Sequence, residues 1–334
     1  MLDLVTTNAT DAAIRRGDEI YAIHNNPADV SLLEKFAKVE RVPIEAQTVG
    51  IEQDGVGMIE PRKVENYSAL WNRATRALLD VRPVSRHYAL IPHDALFEKQ
   101  ATLLAESDLP DDNVTVTDRI YGYGKRVHRT VVFHELATEH VTRSGQTDRV
   151  ECRMDIFNSV DLSWAFQVFS GAYRDLCRNS LVFGGEKSYH QRKIHKGHIS
   201  IDAMIEKASM GLDMWTNNRD QMEGWRNSHC SEFDFARMLK QSICRKNTRA
   251  AKHDETLAIN ESKLNWLLER FKEETPELGS TLWAAYNALT HYATHLPGTT
   301  KRNGNKELVA TRRNDEVRAV IGSSFWQGLE RIPA

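Results

Sequence analysis

Residues 150–156 constrain the fold more than any other stretch of this chain. Val150, Cys152, Met154 and Ile156 alternate with Glu151, Arg153 and Asp155. Successive side chains of a strand point to opposite faces, so this pattern predicts a strand with one buried face. Neighbouring segments extend the prediction. Residues 114–117 alternate, and in residues 127–133 Val127, Val131 and Phe133 fall on one side. Gly122 with Gly124, and Ser144-Gly145-Gln146, stand where hairpin turns are needed. Consecutive strands joined by short turns imply an antiparallel sheet.

After Ser200 the apolar period changes to that of a helix. Ile201, Met204, Ile205, Ala208 and Leu212 recur at helical spacing, as do Leu264, Leu267, Leu268 and Phe271, then Leu282, Ala285, Tyr286 and Leu289. Pro276 and Gly279 separate the last two runs. Further forward, Leu70, Trp71, Ala74, Ala77 and Leu78 predict a helix over residues 67–79. A strand is predicted over residues 84–91, ended by Pro92, and then a helix opening near Asp94. The expected class is α+β, with an antiparallel sheet from the first half packed against helices from the second. A single domain is expected over residues 61–334, β-rich over 80–185 and helical over 199–330. Residues 1–60 read as an acidic, partly irregular N-terminal arm. It has turns at Asn25-Asn26-Pro27 and at residues 54–57, and a short helix over 31–38.

Charge sharpens that division. The net charge is −2, but residues 1–60 hold five basic and eleven acidic groups, a balance of −6 that leaves the rest at +4. No run approaches the roughly 18 apolar residues of a membrane span. The start of the chain lacks the basic and apolar regions of a secretion signal, so the expected location is the cytoplasm of a host cell. Cys152, Cys177, Cys230 and Cys244 are too scattered for a disulfide framework and form no Cys-x-x-Cys pair, so reduced, buried thiols are expected.

Catalytic patterns are missing. His134-Glu135 begins like a zinc-protease helix, but Thr138 stands where the second histidine belongs. His190, His195 and His198 lie close together, yet Lys187, Arg192, Lys193 and Lys196 surround them, which repels a divalent ion. The Tyr121–Lys125 stretch matches no phosphate-loop or dinucleotide pattern and reads as a glycine hairpin. The chain is therefore expected to be no enzyme and to need neither metal nor cofactor.

Basic clusters carry more information. Lys187, Arg192, Lys193 and Lys196 occur without an acid among them. Arg245, Lys246, Arg249 and Lys252 form a second group, and Lys301, Arg302, Lys306, Arg312 and Arg313 a third. Tyr189 and Trp215 lie near the first cluster. Cations for phosphates combined with aromatic faces for bases are what single-stranded nucleic acid uses. The alternative is three ordinary solvated faces on a near-neutral protein.

Three segments, taken together, resemble the phage/plasmid-like family called domain of unknown function 932: residues 84–97, 158–181 and 281–295. In the second, Asn158, Ser159, Asp161, Ser163, Arg174, Cys177 and Asn179 match the family's pattern, while Leu162 and Ser180 stand where glycine is common. The resemblance implies a mobile-element origin and assigns no activity. A weaker, fold-level analogy links the chain to phage single-strand annealing proteins, which have a small antiparallel sheet backed by helices and a basic groove. If residues 164–177 run extended toward the basic loop, Arg174 and Arg178 reach the same phosphates, since a planar guanidinium donates two parallel hydrogen bonds. Equally open is a structural role, with Arg174 paired to Asp161 or Asp175.

The leading expectation is a single-stranded DNA-binding protein, annealing strands in phage or mobile-element recombination or replication. Arg174, Arg178, Lys187, Arg192, Lys193, Lys196, Arg245 and Lys246 would contact phosphates, Tyr189 or Trp215 would stack bases, and a homo-oligomer would extend the groove. The other reading is a non-catalytic phage factor that captures a host protein through the acidic arm and exposed aromatics.

Overall fold

A computed structural model describes residues 3–8, 11–16, 19–24, 38–51, 57–73, 76–105, 114–122, 124–174, 179–181, 190–213, 215–246, 258–295, 313 and 316–330. Thirteen strands are defined among them: β1 (Asp3–Asn8), β2 (Asp11–Arg16), β3 (Glu19–His24), β4 (Val39–Ile51), β5 (Gly57–Asn72), β6 (Ala77–Leu78), β7 (Val84–Ser85), β8 (Val114–Tyr121), β9 (Arg126–Val141), β10 (Thr147–Ser159), β11 (Phe166–Arg174), β12 (Asn179–Leu181) and β13 (His190–Lys193). The principal helices are α1 (His93–Ala105), α2 (Ile201–Asp213), α3 (Trp215–Arg226), α4 (Glu232–Gln241), α5 (Glu261–Leu278), α6 (Leu282–His295) and α7 (Ser324–Glu330). Antiparallel sheets in the first half and helices in the second make this an α+β protein, as the alternation and helical spacing require.

The described strands form two sheets. One has nine strands, ordered β1-β2-β3-β8-β9-β10-β11-β12, with β13 also paired to β11. The other has the order β4-β5-β6, with β7 on β5. The chain divides into two compact units. One comprises Met1–Val132, Asp155–Phe169 and His190–Ala208; the other comprises Phe133–Met154, Ser170–Tyr189 and Ser209–Ala334. Both units draw on segments far apart in sequence. The described part of residues 1–60 is strand rather than irregular chain. Backbone pairing of Ile20 with Ile120 through His24 with Val116 carries β1–β3 into the larger sheet. The expected helix over 31–38 lies, but for Lys38, outside the described residues.

In the first unit, β5 replaces the helix expected over residues 67–79. Apolar spacing there fits either period, and pairing with β4 from Val39–Asn72 to Ile51–Gly57 decides for strand. Pro43 sits on β4, at the end of its sheet's order, where a missing N–H is tolerated. Val39, Leu70, Val84, Tyr88 and Val160 form a buried cluster here, with Leu79, Val81, Leu90 and Leu162 packed against it. The strand expected over 84–91 shrinks to β7. Gly122 (φ 60°) and Gly124 (φ 91°) supply the left-handed backbone between β8 and β9, as expected of that pair.

In the second unit, α5 and α6 pack together and α3 packs on α6. Trp225 lies 4.6 Å from Tyr286 and 5.4 Å edge-on from the fully buried Trp326. Ser231 and Asp234 close a reciprocal cap at the start of α4, and Asn260 caps α5 through the Lys263 N–H. Pro276 lies inside the last turns of α5, so Gly279 (φ 76°) alone ends that helix. Cys152, Cys230 and Cys244 are buried free thiols, and burial pushes each thiol up, Cys230 to about 12 and Cys244 to about 11. Among the described residues no helix is long and apolar enough to cross a membrane.

Candidate nucleic-acid interface

Four of the residues that carry the family pattern, Asn158, Ser159, Asp161 and Ser163, lie close together in the first unit. Asn158, at the end of β10, donates from Nδ2 to the Ile91 carbonyl at 2.8 Å and lies 2.9 Å from His93 Nδ1. The opposite ring nitrogen of His93 lies 3.0 Å from the Gly124 carbonyl. Only one tautomer satisfies both contacts: Nε2 carries the hydrogen and Nδ1 accepts. Burial lowers the His93 pKa to about 4, against the smaller upward pull of the Gly124 hydrogen bond, so the ring stays neutral. Next to it, the Tyr88 hydroxyl donates to the Ser159 carbonyl at 3.2 Å, and burial first, then Asp161, pushes its pKa up. Asp161 accepts from the Ser163 N–H at 3.0 Å and from its hydroxyl, and pairs with Arg126 at 3.4 Å. These groups hold a turn and a strand end together.

That turn supports a basic edge. Strand β13 pairs with β11 in the register Phe166–Lys193, Gln167–Arg192 and Val168–Gln191. Beyond it, Lys196 forms a backbone bridge with Tyr88, Ala89 N–H donates to the His195 carbonyl at 3.2 Å, and Gly197 N–H donates to the His87 carbonyl at 3.0 Å. His195 stacks on Tyr88 at 5.3 Å and hydrogen bonds through Nδ1 with the Ala89 carbonyl at 2.8 Å. Its pKa is lowered, chiefly by burial. His195 thus helps hold the turn. The bridge sets His87 opposite Gly197 and runs Arg86, a residue no charge cluster in the sequence singled out, toward His198. Arg86, Arg192, Lys193, Lys196 and His198 are all exposed. Arg86, Arg192, Lys193 and Lys196 have no ion pair among the described residues.

Two other members of the predicted set are placed differently. Arg174 is 2 % exposed, in the second unit. Its Nε donates to Asp148 Oδ1 at 2.7 Å, and Nη1 donates to Glu274 Oε2 and Asn287 Oδ1, both at 3.1 Å. Arg270 completes the network, donating to Glu274 Oε1 at 2.5 Å. Its fork is occupied by buried acceptors, so Arg174 is a structural residue and not a phosphate contact. The structural alternative is the one this geometry favours, with Asp148 and Glu274 as ion-pair partners among the described residues; Asp175 lies outside them. Trp215, 4 % exposed, is likewise a packing residue and offers no free face to a base. Arg245 and Lys246 are exposed, in the second unit, whereas Arg192, Lys193 and Lys196 belong to the first. Arg178, Lys187 and Tyr189 lie outside the described residues.

The departures at Leu162 and Ser180 have different meanings. Leu162 has φ 65°, a left-handed backbone that glycine adopts without strain. Ser180 pairs with Tyr173 in a strand, where glycine confers no advantage.

Fold and site together define an α+β sheet protein with structural polar networks inside and, among the described residues, exposed cations without ion pairs on β13 and just beyond it. The model of the family described as "Domain of unknown function (DUF932)" matches residues 81–318, well over half of the chain. The chain belongs to that family. No curated protein and no solved structure matches it.

Proposed function

We propose that this chain binds single-stranded DNA without a chemical step, as a strand-organising or annealing protein in recombination or replication of a phage or related mobile element. The observation that carries this reading is the edge formed by Arg86, Arg192, Lys193 and Lys196, exposed and without carboxylate partners among the described residues. Unpaired cations on a strand edge gain free energy by releasing counterions from phosphates, whatever the base sequence. Arg245 and Lys246, exposed in the second unit, and Arg178, Lys187 and Tyr189, on their sequence context, stay in the proposed set. A host-cell cytoplasmic location and a homo-oligomer that lengthens the cationic surface belong to the same proposal.

Fluorescence anisotropy with a labelled oligothymidine at low salt tests it. Wild type should bind, and the triple variant R192E/K193E/K196E should lose at least about tenfold in affinity. No binding by wild type, or unchanged binding by the triple variant, overturns the reading.

A further inference from the structure

The second unit contains a cavity of about 310 Å³ lined by Asn260, Ser262, Lys263, Trp266 and Tyr292. Its walls come from the first turns of α5 and from α6. Trp266 is only partly buried, and it meets His291 at 5.5 Å and the edge of Tyr292 at 5.9 Å. The Tyr292 ring is covered by cations: Lys263 Nζ lies 4.5 Å and the Arg313 guanidinium 5.6 Å from its centroid. Both charges are engaged. Lys263 pairs with Glu316 at 2.5 Å, which also accepts from the Tyr292 hydroxyl at 2.9 Å, and Arg313 donates to the Tyr292 carbonyl at 3.1 Å. The lining is thus largely aromatic, with the Lys263 charge offset by Glu316, which suits a flat ring system.

Exposed cations stand beside it. The Arg245–Lys246 stretch runs antiparallel to the entry of α5: Arg245 bridges Ile259, Lys246 N–H donates to the Ala258 carbonyl at 2.6 Å, and Asn260 N–H donates to the Cys244 carbonyl at 2.8 Å. Asn260 is itself a lining residue. Arg245 and Lys246 are exposed and have no ion pair among the described residues.

We infer that this cavity is a nucleotide subsite: one base lies against Trp266, and its phosphate is held by Arg245 and Lys246. The volume sits at the lower end of the roughly 300–1,000 Å³ of ligand sites, which suits one ring system rather than a dinucleotide. Base stacking on an aromatic ring tolerates any base, and adjacent cations retain the backbone. The inference rests on the proposed single-strand binding and supplies the aromatic platform that Trp215 cannot. The same chemistry would accept a free nucleotide, so the two sources must be separated by experiment.

The full chain is titrated with an oligothymidine carrying one 2-aminopurine, whose fluorescence is quenched on stacking, and separately with dAMP. Ser262 is exposed in the first turn of α5, so Ser262→Trp obstructs the cavity without touching the core, and far-UV circular dichroism checks its fold. Trp266→Leu is the second variant. With wild type, quenching and binding are expected; with either variant, quenching is lost and affinity drops about tenfold. Quenching unchanged in Ser262→Trp overturns the subsite and leaves strand binding standing. Binding of dAMP that Ser262→Trp abolishes, with no strand binding by wild type, supports the subsite and overturns the strand reading. No binding of either ligand overturns both.

Discussion

Arg174 and the trio Arg192, Lys193 and Lys196 come from the same stretch of about twenty residues, and their surroundings are opposite. Arg174 lies inside the second unit with Asp148, Glu274 and Asn287 on its guanidinium. The trio lies on and beyond β13 of the first unit, exposed and without carboxylate partners among the described residues. Arg129 repeats the interior solution: fully buried, it donates from Nε and Nη2 to Asp118 at 2.8 and 2.9 Å, from Nη1 to Gln100 at 3.0 Å, and lies 3.7 Å from the Phe97 ring centroid. A buried cation must be matched charge for charge, since leaving water costs several kcal/mol per ion. An edge cation has no such requirement and stays available to a ligand. Clustered charge in a sequence therefore says little about availability until the strand register is known.

The largest effect expected separates the two groups by stability. Arg174→Met leaves Asp148 and Glu274 buried with less compensation and should cost about 3–5 kcal/mol. The edge variant R192Q/K193Q/K196Q should stay within about 0.5 kcal/mol of wild type. Urea unfolding measures both, and equal losses would break the comparison.

His93 sharpens it through pH. Its folded pKa, about 4, lies below the ordinary histidine value. The unfolded chain therefore takes up the proton first as pH falls, and stability is lost from about pH 6.5 down through pH 4. The contribution of His93 to this loss is on the order of 3 kcal/mol. Thermal unfolding at pH 7.5 and 4.5 should show a smaller difference for His93→Gln than for wild type. Burial also lowers His291, His140 and His195, with the same sign, so the difference between proteins isolates His93.

A smaller effect is expected at Leu162, with its left-handed backbone and its side chain against the first unit's buried cluster. Leu162→Gly and Leu162→Ala both lose that packing, but only glycine relieves the strain. The glycine variant should be about 1 kcal/mol more stable than the alanine variant, the reverse of the order in ordinary helix or strand positions. Guanidinium unfolding of the pair would decide. Finally, R192Q/K193Q/K196Q should leave stability unchanged yet flatten the dependence of log affinity on log salt by about 2, from roughly 0.7 per neutralised phosphate on a single strand.

Strands β9 and β10, their glycine turns and the helices after Ser200 were legible because each is written in a local period. Tyr67 and Trp71 were misassigned to a helix because their spacing suits both periods and the choice lay with β4, which is distant in sequence. The first three strands were missed for a related reason: their partner, β8, begins about a hundred residues on. For the candidate site, exposure of Arg192, Lys193, Lys196, Arg245 and Lys246 followed from their clustering with other charged and polar residues. Arg86 could not be foreseen, since only the Tyr88–Lys196 bridge brings it to that edge. The Trp266 cavity was equally hidden. Trp266 and Tyr292 sit in separate helical runs, and nothing in either run shows that the two rings meet.

By itself, the sequence determined the α+β class, the family and the location of the basic runs. Each is encoded in short-range periodicity or in local residue identity. Only the tertiary structure decided which cations are interior and which are free, and which aromatic ring has an open space beside it. Burial and ion pairing depend on contacts between residues tens to more than a hundred positions apart, such as Arg174 with Asn287, and those distances have no local signature.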